Sequence, residues 1–242
     1  MKRSLVVVLL LVFAVPSLIT AAPKKKKKAG PCASSLATCP DTGCGGTIDK
    51  NLNKRKNIKA APTGAAEDMT IAEIKALEDP VEGFKKGDKR DKLTALGEGK
   101  LIRVVAQALV VRTGSKESCN CGLTGAGNTD NHIVLIDPAD DSPSLEDDEP
   151  NSVTAEFTPR VRKKLPELSR TTLKPLIDDA PNGALKVRVT GLLMFDSEHS
   201  LGHHLKRHNN WEIHPIFLME YCPTDKKCSN TGLANWKHIG QQ

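Results

Sequence analysis

Five apolar runs, rich in β-branched residues and separated by turn-forming stretches, constrain the fold of this chain more than any other feature. They span Leu101–Val111, His132–Ile136, Ser152–Thr158, Leu185–Phe195 and Trp211–Tyr221. Each has the composition of a strand, and the first is long and nearly continuous, which suits a curved barrel strand. Between the third and fourth runs, Arg160–Ile177 carries a helical pattern that Pro166 and Pro175 are expected to break. A second helix is predicted at Ile71–Leu77 and ends before Pro80. There Thr70 and Glu73 match a capping box, and Ile71, Ile74 and Leu77 recur at helical spacing. The expectation is a mainly β chain: a small five-stranded barrel like the oligonucleotide- and oligosaccharide-binding (OB) fold, with one or two short helices.

Polar residues interrupt three of these runs. Side chains two apart on a strand share a face. Trp211, Ile213 and Pro215 therefore suit a core, which leaves Glu212 and His214 on the opposite face. Val153, Ala155 and Phe157 likewise leave Glu156 opposite, and His132 shares its face with Val134 and Ile136. Three strands can thus bring His132, Glu156, Glu212 and His214 into one binding pocket. Glu156 and Glu212 are the candidate catalytic carboxylates, and His132 and His214 the candidate ligands of a divalent metal such as zinc. Two imidazoles and one carboxylate would form a three-ligand zinc site with an open position, leaving the other glutamate as base. Without metal, a Glu–His pair is an acid–base device. The alternative is a buried network of ion pairs that sets strand register. His199, His203, His204 and His208 fall in two i,i+4 pairs, but Gly202 and Asn209–Asn210 disfavour a helix there. Ser200 stands where a zinc-protease motif needs glutamate, so only opportunistic metal binding is expected of this segment.

Lys2 and Arg3, an apolar run from Leu5 to Val15, then Pro16, Thr20, Ala21 and Ala22 form the three-part pattern of a secretory signal peptide, residues 1–22. Secretion or a periplasmic location is expected, with no membrane span left after cleavage. A Lys-rich and Cys-containing arm (23–64) and a single barrel domain with a C-terminal tail (65–242) should follow. The formal charge of +6 becomes +4 without Lys2 and Arg3, and −1 when Lys24–Lys28 are also set aside. The basicity is therefore local to a tail able to contact anionic surfaces. With 3% aromatic residues, and Trp211, Phe157 and Phe195 at core positions, a base-stacking surface for single-stranded nucleic acid is poorly supported. Other partners are not indicated.

Cys32, Cys39, Cys44, Cys119, Cys121, Cys222 and Cys228 are odd in number, so an exported chain forming disulfides keeps one cysteine over. Cys222 and Cys228 can close a small loop. One of Cys119 and Cys121 is expected to reach the Cys32–Cys44 cluster, although spacing does not determine the pairing.

Several motifs in order resemble an uncharacterised family of mostly bacterial proteins. They are Gly43-Cys44, Leu52-Asn53 with Lys56-Asn57, Glu117-Ser118-Cys119-Asn120-Cys121, Asp130-x-His132, Ala155-Glu156-x-Thr158-Pro159-Arg160, Val187–Gly191, His199, and Trp211-Glu212-Ile213-His214-Pro215. The resemblance spans roughly Cys39 to Tyr221. It supplies no activity, but it implies that these acids and histidines belong to one shared pattern. Three functions fit the residues: a ligand-binding module, which leads; a metal-dependent hydrolase, such as a phosphodiesterase or nuclease; and a structural envelope protein.

Overall fold

The computed structural model describes residues 30–45, 48–80, 87–198 and 206–240. The expected signal segment, the Lys24–Lys28 run and His199, His203 and His204 lie outside them. Seven strands form one sheet: β1 (Glu67–Met69), β2 (Leu101–Thr113), β3 (Asn131–Ile136), β4 (Val153–Phe157), β5 (Leu185–Phe195), β6 (Trp211–Tyr221) and β7 (Lys237–His238). Strands β2 to β6 are the five runs read from the sequence. They pair in the order β2–β3–β4–β6–β5, and β5 pairs back onto β2, closing a five-stranded barrel of OB type. Within the barrel only β4 and β6 run parallel. Outside it, β1 lies parallel along β2 and β7 antiparallel along β6.

Closure depends on the length of β2. Residues 101–108 pair with β5 and residues 107–113 with β3, across a register shift between Ala108 and Val110 that lets the strand turn from one neighbour to the other. Ile102, Val104, Ala106 and Ala108 are fully buried in the core, while the residues between them are half-buried. Gly191 lies where β5 changes register against β6. A Cβ there would stand 2.6 Å from the Pro215 carbonyl oxygen and 2.7 Å from Ile213 Cγ2, so the approach requires glycine.

Among the described residues there are six short α-helical segments, more than the one or two expected: α1 (Lys50–Lys56), α2 (Ile71–Lys75), α3 (Asp91–Ala95), α4 (Leu145–Asp148), α5 (Pro159–Arg162) and α6 (Arg170–Asp178). Four start on a side-chain cap, from Asp49, Thr70, Thr158 and Ser169, and α2 has the expected capping box. The chain is broken around Pro166 as expected, but α6 continues through Pro175. The carbonyl that Pro175 leaves unpaired belongs to exposed Thr171, while Leu173 and Ile177 pin the helix in the core.

Disulfides join Cys32 to Cys44, Cys39 to Cys121 and Cys222 to Cys228, and Cys119 is a buried free thiol. Cys121 thus makes the expected link between the arm and the barrel. No helix among the described residues is long and apolar enough to cross a membrane.

Candidate metal centre

Ile133, Leu135, Ala155, Phe157, Trp211 and Ile213 point into the barrel core. By strand alternation, His132, Glu156, Glu212 and His214 therefore lie on its outer face. An outer face normally meets water, yet Glu156 is 3% exposed and Glu212 and His214 not at all. The arm and the loop between β2 and β3 account for this. Helix α1 starts at Asp49, whose carboxylate accepts from the Asn51 and Leu52 amides, and buries Leu52, Asn53 and Lys56 along one side. Asn57 donates to the Cys119 carbonyl at 2.9 Å, Ser118 Oγ donates to Asn53 at 3.1 Å, and Cys39–Cys121 ties the two segments covalently.

Under this cover the barrel face and the two long loops assemble a dense cluster of charge. Register sets His132 directly opposite Glu156, and Thr154 opposite Glu212. His214 Nδ1 lies 3.0 Å from Glu156 Oε2 and 3.1 Å from Glu212 Oε1. His132 Nε2 lies 3.5 Å from Glu117 Oε1 and 3.6 Å from Glu156 Oε1. Lys56 Nζ stands 3.7–3.8 Å from one oxygen each of Glu117, Asp196 and Glu212. Arg207 donates to Glu212 at 2.7 Å and to Asp196 at 3.2 Å. Asp130 accepts from Asn120 through Oδ1. Glu156 is the hinge of the arrangement, with one oxygen toward each imidazole.

Two buried ion pairs elsewhere among the described residues are bonded on both oxygens. Arg188 donates to both oxygens of Glu220 at 2.6 Å each, and Arg90 Nε to both oxygens of Glu98. The cluster differs. Asp130 Oδ2, His132 Nε2, Glu156 Oε2, Glu212 Oε1 and both ring nitrogens of His214 are buried without an aligned hydrogen-bond partner in the protein. Unsatisfied buried polar atoms are costly, and here they face one another. Donor atoms of Glu117, His132 and Glu156 all lie within 4.8 Å of one another, as do those of Asp130, Glu156 and His214. Ligands about 2.1 Å from an ion stand about 3.0 Å apart in octahedral and about 3.4 Å apart in tetrahedral geometry. The 3.0 Å separation of His214 from Glu156 falls at the octahedral value, and the 3.5 and 3.6 Å separations of His132 from Glu117 and Glu156 lie just above the tetrahedral one.

Proton affinities reflect the same crowding. The Glu156 carboxylate raises the His132 imidazole to about 9, against burial. Burial would depress His214, but Glu156 and Glu212 beside it hold it well above the usual histidine value. Burial, with Glu117 nearby, pushes Asp130 up to about 8. Glu156 is held far below the usual carboxylate range by His132 and His214, although burial opposes this. Lys56 is raised despite burial by Asp196, Glu212 and Glu117. The raised values favour the protonated forms of both imidazoles and of Asp130. A divalent cation can replace those protons on the same atoms.

All four residues read from the sequence meet in this cluster. The two histidines occupy separate donor sets that share Glu156, and Glu212 is held by Arg207 and Lys56 as a neighbour of His214. His208, the described member of the histidine-dense segment, is exposed. Alternation along the strands does not identify Lys56, Glu117, Asp130, Asp196 or Arg207 as members. Glu117 and Asp130 carried a signal only as members of the motifs Glu117–Cys121 and Asp130-x-His132, which assigned them no role. Comparison with protein-family models, curated proteins and solved structures finds no match.

Proposed function

We propose that this chain is an exported metal-dependent hydrolase, with a divalent cation such as zinc held by Glu117, His132 and Glu156. The observation that carries the reading is His132 Nε2, which is buried and unbonded while facing one oxygen each of Glu117 and Glu156. The His132 side chain is 37% exposed although its Nε2 is buried, so this donor set lies nearer solvent than that of Asp130, Glu156 and His214, as a catalytic metal that exchanges water needs. A bound cation of this kind supplies Lewis acidity and makes water a nucleophile near neutral pH. The chain's own part is to hold three donors on a loop and two paired strands, close the site from beneath with the barrel, and set the partly exposed His132 ring toward solvent.

OB barrels bind ligands across their second and third strands and the adjoining loops, which is where this cluster sits; that support is analogy of fold alone. Three disulfides support export. A plain ligand-binding module is less well supported. A cavity of about 670 Å³ lies beside Leu36, Pro40, Lys59, Pro159 and Lys163, and none of the cluster's donors line it. The test is a phosphoester and carboxyl-ester panel on zinc-loaded protein. The reading expects turnover that chelator abolishes and zinc restores, and that Glu117→Gln lowers at least about 100-fold while the fold is kept. Turnover indifferent to chelator, or none with any ester, would contradict it.

A further inference from the structure

Glu156 presents its second oxygen to a different set of donors. Its Oε2 lies 3.0 Å from His214 Nδ1, and the Asp130 carboxylate completes a trio within 4.8 Å. Asp130, Glu156 and His214 are 1%, 3% and 0% exposed, and Asp130 Oδ2, Glu156 Oε2 and His214 Nδ1 all lack aligned hydrogen bonds. We propose that Asp130, Glu156 and His214 hold a second divalent cation, so that the centre is dinuclear and Glu156 is its bridging carboxylate. This rests on the metal reading of the outer position.

Three features favour a cation here over a hydrogen-bonded network. Asp130 and Glu156 are both acids, and one imidazole between them has fewer protons to give than there are oxygens to satisfy. Asn120 Nδ2 donates to Asp130 Oδ1 at 3.2 Å, which steadies the carboxylate and leaves Oδ2 turned into the cluster. Glu212, held by Arg207 and Lys56, places Oε1 3.1 Å from the same His214 Nδ1, so three carboxylates crowd one ring nitrogen that can give at most one proton. Two imidazole–carboxylate donor sets of this composition suit zinc or manganese better than calcium or magnesium. A second cation bridged through Glu156 would add positive charge behind the outer one, which would favour an anionic substrate such as a phosphoester at the partly exposed His132 position.

The test is zinc stoichiometry by equilibrium dialysis and elemental mass spectrometry, on chain carrying His203→Ala and His204→Ala so that the histidine-dense segment adds nothing. The proposal expects about two zinc per chain, about one in Asp130→Asn, about one in His132→Ala and none retained in Glu156→Gln. Circular dichroism confirms that each variant is folded, and His214→Gln repeats the Asp130 arm should Asp130→Asn unfold. One zinc per chain, lost in His132→Ala and kept in Asp130→Asn, would overturn the second position and leave the hydrolase reading standing. No zinc in the unsubstituted site would overturn both.

Discussion

At the scale of the residue, Glu156 decides how the cluster works, because its two oxygens face two imidazoles that do not share a donor set. Replacing Glu212, which touches His214 but belongs to neither donor set, should act indirectly. Glu212→Gln is expected to weaken metal binding about 10-fold without removing a member of either donor set, because it takes away a carboxylate charge 3.1 Å from His214 Nδ1; competitive titration against a zinc indicator measures this. Gly114 is equally informative. A Cβ there would sit 2.9 Å from His132 Nε2 and 2.9 Å from the Asp130 carbonyl oxygen. Gly114→Ala should therefore displace the His132 ring, cost about 1–3 kcal/mol by overpacking, and reduce turnover more than stability. Unchanged kinetics in a folded Gly114→Ala protein would show that the ring position does not matter. His132, Glu156, Glu212 and His214 were legible in the sequence because each breaks an apolar alternation. Lys56 and Arg207 were not, since a cation on a short helix or in a loop looks solvated until the fold brings carboxylates to it.

At the scale of the element, the arm determines whether this is an active site or a wet face of a barrel. Helix α1 and the loop that follows β2 bury groups that strand alternation places outside, and one disulfide, Cys39–Cys121, spans the two. Cys39→Ser with Cys121→Ser should destabilise by about 2–4 kcal/mol. It should also speed amide exchange in residues 50–57 ahead of the barrel strands, followed by hydrogen-exchange mass spectrometry. Uniform loss of protection throughout the chain would mean the arm is no separate cover. The five barrel strands could be read from the sequence nearly to their ends, because each is a sustained apolar, β-branched run, whereas β1 and β7, of three and two residues, leave no such signal. Helices of four or five residues could not, since segments that short are set by caps and packing rather than by their own periodicity. Thr70–Glu73 was the exception, because a capping box is local.

At the scale of the whole molecule, a closed barrel, disulfides on its arm and tail, and fully bonded pairs such as Arg188–Glu220 hold the fold without help from the cluster. The cluster's unbonded atoms then form a reserve of stability that a cation can release. Zinc at about 100 times its dissociation constant should add about 2.7 kcal/mol, a rise of roughly 5–10 °C in Tm for a chain of this size. Glu156→Gln should abolish the rise, and scanning calorimetry with and without zinc reads both. If the cluster were only a structural network, zinc would leave Tm unchanged and Glu156→Gln would lower it steeply. The most direct measurement is anomalous scattering at the zinc edge from crystals of the protein grown with zinc. The account predicts a peak about 2.1 Å from His132 Nε2 and bounded by Glu117 and Glu156. Peaks confined to the histidine-dense segment, with none among Glu117, His132 and Glu156, would contradict it.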